Sequence, residues 1–144
     1  MPIRPCRRAL ALLFLTLPAA AAAAAPTSVA VSLGDTPQGK DVLALNPDRV
    51  KAGAIEFHVK NTSKSLTHEF LIVRWPGAIT SLPYDAKNNE VQEERLPGLE
   101  GVEDMPPGSA ATVRLVLGPG KYVVFCNQLG HYKAGMERRF TVTR

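Results

Sequence analysis

Cysteine is scarce in this sequence: 144 residues contain two, Cys6 and Cys126. Aromatic side chains are scarce too, at 6% and spread along the chain, with a single tryptophan. No internal repeat is present. Beyond the N-terminus, no apolar run reaches the about 20 residues that a membrane span needs. The excess of one charge sign is small: 17 basic side chains stand against 13 acidic ones, and Arg4, Arg7 and Arg8 supply three of the surplus.

Those arginines belong to a stretch with the pattern of a secretory signal. A basic start is followed by an apolar core over 9–17, a break at Pro18, and an alanine run ending in Ala23-Ala24-Ala25 before Pro26. Cys6 precedes the apolar core, whereas a lipoprotein leader carries its cysteine after it. The core is short for a retained anchor and meets a proline. The pattern predicts a signal peptide over 1–25 and a mature domain over 26–144, exported to the periplasm with no integral membrane segment. Removing 1–25 lowers the formal charge from +4 to +1. The basic character therefore resides largely in the leader and does not argue for nucleic-acid binding. Cys126 becomes the only cysteine of the exported chain. Four readings fit it: a buried inert thiol, a reactive thiol, half of an intermolecular disulfide, or a metal ligand.

Beyond Pro26 the chain reads as short strands punctuated by Gly, Pro, Asn and Asp. Strands are expected at 28–33, 42–45, 54–60, 68–75, 111–117, 122–126 and 137–143. In 54–60, Ile55, Phe57 and Val59 face one way and Glu56, His58 and Lys60 the other. The run His68-Glu69-Phe70-Leu71-Ile72-Val73 is apolar on both faces and predicts a central strand. Residues 76–105 are polar and acidic, with no clear strand and weak support for a helix over 86–95. They read as a long connection crossing between two sheets. About seven to eight strands with close turn signals predict an all-β Greek-key β-sandwich.

The chemistry concentrates after the 122–126 strand. Cys126, His131 and Met136 follow one another, each pair separated by four residues, in a loop with two glycines. One further imidazole would complete His₂Cys with a weak axial thioether, the donor set of a blue-copper site. Thiolate stabilises Cu(I), imidazole suits both copper states, and a distant thioether tunes the potential. His68 opens the apolar strand at an end where loops gather, so it is the expected fourth ligand. His58 lies on the Glu56/Lys60 face, which reads as solvent-facing. Met105 is a poorer thioether than Met136 because it stands in the long connection beside two prolines.

These features together resemble the cupredoxins, the small blue-copper proteins related to plastocyanin and azurin. The resemblance covers 54–60 with Asn61, His68-Glu69-Phe70, Pro107-Gly108, Gly118-x-Gly120-x-Tyr122 and the Cys-His-Met loop. The loop spacing and Gly130-His131 are most similar to rusticyanin-like and sulfocyanin-like members. Leu129 stands where many relatives have proline, and Glu69 where several have Asn or Ser. The backbone N–H at that second position often bonds the cysteine sulfur in the family.

The resemblance implies one copper held by His68, Cys126, His131 and Met136, cycling between Cu(II) and Cu(I). It implies a monomeric electron carrier, not an enzyme, whose transient redox partners dock near His131, with Leu129, Gly130 and Tyr132 in reach. Tyr132 reads equally well as a plain surface aromatic. Glu93, Glu94, Glu100, Glu103 and Asp104 read as solvated surface, or as steering for a basic partner. The alternative function is copper storage, delivery or resistance. A Cys–His nucleophilic enzyme lacks an orienting acid and leaves Met136 unexplained. Structural zinc fits poorly because thioether is a weak ligand for it.

Overall fold

The computed structural model describes residues 24–36 and 38–144. Apart from its last two residues, the expected signal peptide lies outside them. Eleven strands follow in chain order: β1 Thr27–Asp35, β2 Asp41–Asn46, β3 Arg49–Lys51, β4 Gly53–Asn61, β5 His68–Arg74, β6 Tyr84–Asp85, β7 Glu90–Val91, β8 Glu100–Met105, β9 Ala110–Leu117, β10 Gly120–Phe125 and β11 Glu137–Thr143. One four-stranded sheet has the order β2-β1-β4-β9, and one five-stranded sheet the order β3-β11-β10-β5-β8. Both are mixed, because β1 runs parallel to β4 and β3 parallel to β11. β6 and β7 form a small separate hairpin.

The alternation in the sequence explains the packing of the first sheet. In β4, Ile55, Phe57, Val59 and Asn61 are buried while His58 and Lys60 are exposed. Phe57 lies at the centre, with its ring centroid 5.1 Å from that of Phe70 on β5 and 5.3 Å from that of Phe140 on β11. Rings at that spacing bury a large apolar area, and truncating such a residue to alanine costs about 3–5 kcal/mol.

The central strands β5 and β10 of the second sheet are buried on both faces. Phe70, Ile72, Val124 and Phe140 point into the sandwich. Leu71, Val73, Val123 and Phe125 point outward into a second core, closed by Leu82, Val91 and Leu96. This corrects the expectation for 76–105. The segment does not simply cross between sheets: its first part folds over the outer face of the five-stranded sheet, and its last part is strand β8, paired with β5. The weakly supported helix is a turn at 86–89 followed by β7 and a single 3-10 turn, Glu93–Arg95. Among the described residues, no helix is long and apolar enough to cross a membrane.

Candidate metal centre

Three donor side chains meet at one end of the sandwich. His68 is the first residue of β5, and Cys126 follows directly on the last residue of β10. These strands are antiparallel neighbours, so the end of one lies beside the start of the other. His68 Nδ1 lies 3.3 Å from His131 Nδ1, and Cys126 Sγ lies 3.9 Å from the first and 3.5 Å from the second. His68 and Cys126 are fully buried, whereas His131 is half-buried.

The chain fixes each corner of this triangle separately. Ahead of His68, the Asn61 side-chain amide donates to the carbonyls of Leu66 and Met105, both at 2.9 Å, and its oxygen accepts the Ser63 N–H at 2.9 Å. The Ser63 hydroxyl accepts the Leu66 N–H at 2.9 Å. These bonds replace the ladder that the 62–67 turn lacks and set the entry angle of His68. On the other side, the Cys126 N–H donates to the Met136 carbonyl at 3.1 Å, and the Met136 N–H donates to the His131 carbonyl at 3.0 Å. The two ends of the loop are thereby tied together, with Met136 fully buried in the same core as Cys126.

Glu69 grips the start of that loop at three consecutive residues. Its N–H donates to Cys126 Sγ at 3.2 Å. Its carboxylate accepts the Asn127 N–H at 3.2 Å and the Gln128 side-chain amide at 2.7 Å. Gln128 also donates to Asp104 at 3.1 Å. Burial pushes the Glu69 carboxyl above its ordinary range, the Gln128 and Asn127 bonds pull it back, and Glu93 and Asp104 add repulsion that raises it. The N–H on the sulfur stabilises a thiolate, the protonation state a metal requires. Burial likewise raises the carboxyl of Glu137, the residue after Met136, with Arg138 partly opposing the shift.

The donors fit a single first-row metal ion. Bonds of about 2.0 Å to nitrogen and about 2.3 Å to sulfur place donor atoms around one ion about 3.3–3.8 Å apart, and the edges of the triangle, 3.3, 3.5 and 3.9 Å, lie in or just beyond that range. Two imidazoles, one thiolate and a thioether are the donor chemistry of type 1 copper.

The structure thus brings His68, Cys126 and His131 together, with Met136 following in the same loop. His58 is elsewhere, exposed on the outer face of β4 and 3.2 Å from Glu56. Two expectations need correction. Tyr132 is not on the surface: it is 4% exposed and belongs to the second core. Met105 does not stand in a mere connection: it ends strand β8, is buried and pairs directly with His68 in the β5–β8 ladder. The supporting roles of Asn61, Asn127 and Gln128 escaped the sequence reading. The one available signal was that Asn127 and Gln128 directly follow a candidate ligand.

No protein-family model matches the sequence, and no curated protein matches it. Solved structures do. Dithionite-reduced auracyanin from the photosynthetic bacterium Roseiflexus castenholzii is similar at a TM-score of 0.59 and 23% identity, over 85% of this chain and 100% of that one. Auracyanin B is similar at 0.56 and 22%, over 85% and 93%. Rusticyanin from Thiobacillus ferrooxidans, a copper protein, is similar at 0.54 and 18%, over 83% and 79%. Auracyanins and rusticyanin are cupredoxins. At 18–23% identity over 83–85% of this chain, the likeness is one of fold. This chain therefore has the cupredoxin fold, with a donor cluster that fits one type 1 copper.

Proposed function

We propose that this protein carries single electrons on one copper held by His68, Cys126, His131 and Met136. Copper bound there supplies a Cu(II)/Cu(I) couple. The observation that carries this reading is the triangle of two imidazole nitrogens and one sulfur, with the Glu69 N–H donated to that sulfur. The chain itself provides rigidity. Two donors are anchored beside strands of one sheet, and the loop between Cys126 and Met136 is closed by backbone bonds. A pocket of this kind moves little when an electron arrives or leaves. With all four positions filled by protein, none remains for a substrate, which favours a carrier over an enzyme.

Partners meet the protein at the end where His131 is half-buried. Leu129, two residues before it, is 68% exposed and offers an apolar contact. Redox encounters of this type are small and transient. The chain works in the periplasm as a monomer, exported by residues 1–25 and cleaved before Pro26. That reading rests on the leader pattern.

The test is the visible spectrum of the chain from Pro26 onward after addition of Cu(II), repeated after ascorbate. An intense band in the red that bleaches on reduction and returns on oxidation is expected. Bound copper without that band would transfer the reading to copper storage or delivery and remove Cys126 from the ligand set.

A further inference from the structure

The segment between β5 and β8 meets the donor loop at three places. The Asn127 side chain accepts the Val91 N–H at 2.7 Å and donates to the Val91 carbonyl at 3.0 Å and to Glu93 at 2.7 Å. It thus pairs with β7 as a neighbouring strand would. The Gly130 N–H donates to the Asn89 carbonyl at 2.9 Å. The Tyr132 hydroxyl donates to the Ile79 carbonyl at 2.7 Å and accepts the Leu82 N–H at 3.1 Å. The Tyr132 ring stands edge-on to Phe125 and beside Tyr84, with both centroids 5.9 Å away. Residues adjoining Cys126 and His131 are therefore held by a protein segment on the outer face of the sheet, away from the donor triangle.

Such holding has a physical purpose. Gly130 and Gly135 both adopt positive φ, at 80° and 98°, so the loop between Cys126 and Met136 includes the two residues least restricted in conformation. Left to itself, a loop of this kind would need ordering at the moment a ligand binds, and that ordering weakens binding. Hydrogen bonds to backbone groups at 79, 82, 89 and 91, of which those at 82 and 91 are buried, remove the cost beforehand.

We propose that Tyr132 is a positioning residue which, together with Asn127, latches the donor loop onto residues 76–99, so that the donor triangle stands in the metal-free protein. The long segment between β5 and β8 is then a part of the metal centre, although it supplies no ligand. The proposal goes beyond the electron-carrier reading and does not depend on it, because it concerns the loop before any metal arrives.

The experiment is amide hydrogen exchange on the metal-free chain from Pro26, comparing wild type with Tyr132→Phe. The substitution keeps the ring and removes only the hydroxyl. Exchange in 127–136 and at 79–82 is expected to accelerate about tenfold, the size of effect that loss of one to two buried hydrogen bonds gives. Exchange in β4 should be unchanged. Once copper is loaded, its release to a strong chelator should accelerate by a similar factor. Asn127→Asp tests the second latch with the native tyrosine in place. It keeps an acceptor for the Val91 N–H, loses the donors to the Val91 carbonyl and to Glu93, and sets a carboxylate against Glu93, and the same loop-confined acceleration is expected. Unchanged loop exchange in either variant, or equal acceleration in β4, would overturn the proposal. Since exchange is read without metal, that outcome would leave the copper assignment untouched.

Discussion

Replacing Glu69 with alanine removes the acceptor of two hydrogen bonds and leaves the Cys126 sulfur its backbone donor. The Asn127 N–H is buried, at 3.2 Å from the carboxylate, and loses this partner in the variant. An orphaned buried N–H costs about 1–3 kcal/mol, and the half-buried Gln128 amide adds about 1 kcal/mol. Relief of the carboxylate's own burial and of its repulsion from Glu93 and Asp104 offsets part of this. The net loss is about 2–3 kcal/mol. For a domain of this size it corresponds to a melting temperature lower by about 8–12 °C. Glu69→Gln retains one acceptor for Asn127, and the Gln128 amide can turn to meet it, so that variant should lose about a third as much. The assay is thermal unfolding of the metal-free chain from Pro26, followed by circular dichroism. If Glu69→Ala melts with wild type, or if the glutamine variant is as damaged as the alanine one, the carboxylate's hold on 127 and 128 contributes no stability and the reasoning fails.

Three further outcomes are expected. Met136→Leu should keep the intense copper colour and raise the reduction potential by voltammetry, because a weak donor to Cu(II) is lost; a colourless variant that still holds copper would remove Met136 from its axial role. Glu137→Gln should gain stability relative to wild type as pH rises. The buried Glu137 carboxyl keeps its proton to higher pH in the folded than in the unfolded chain, so wild-type stability falls through that interval while an amide titrates in neither state. Urea unfolding of the metal-free protein at about pH 4 and about pH 7.5 reads the difference, and a gap that narrows at the higher pH would contradict it. His58→Ala should leave colour, potential and copper content unchanged, and loss of the site would mean that His68 was wrongly preferred.

The strands that alternate or bury both faces were legible in the sequence, because period-two hydrophobicity reports which side of a sheet meets a core. The same alternation puts His58 on the exposed face of β4, whereas His68 opens a strand buried on both faces. β8 was not legible. Its sequence Glu-Gly-Val-Glu-Asp-Met places two apolar side chains among four that read as turn, and it forms an edge strand with mostly exposed side chains. Gly101 looks like a loop glycine, yet it is needed because a Cβ there would collide with the Phe70 carbonyl oxygen of the neighbouring strand. The second core was hidden for a related reason. Leu82, Val91 and Leu96 are isolated apolar residues without period, and they cohere only when the segment folds back over Leu71, Val73 and Phe125. Tyr132 could not be placed without knowing what covers it. Met105 reads as part of the connection because the strand that brings it opposite His68 has no period of its own.

The order of strands sets when the centre can come into being. β1 lies between β2 and β4, and β11 lies between β3 and β10, so the earliest and the latest strands both occupy interior places in their sheets. The donor loop ends at Met136, immediately before β11 begins. A nascent or half-threaded chain can therefore possess His68, Cys126 and His131 and still lack the strand that seats their loop. Such non-local pairing makes folding late and comparatively slow. Metal can therefore be held by the complete donor set only after the last strand has arrived.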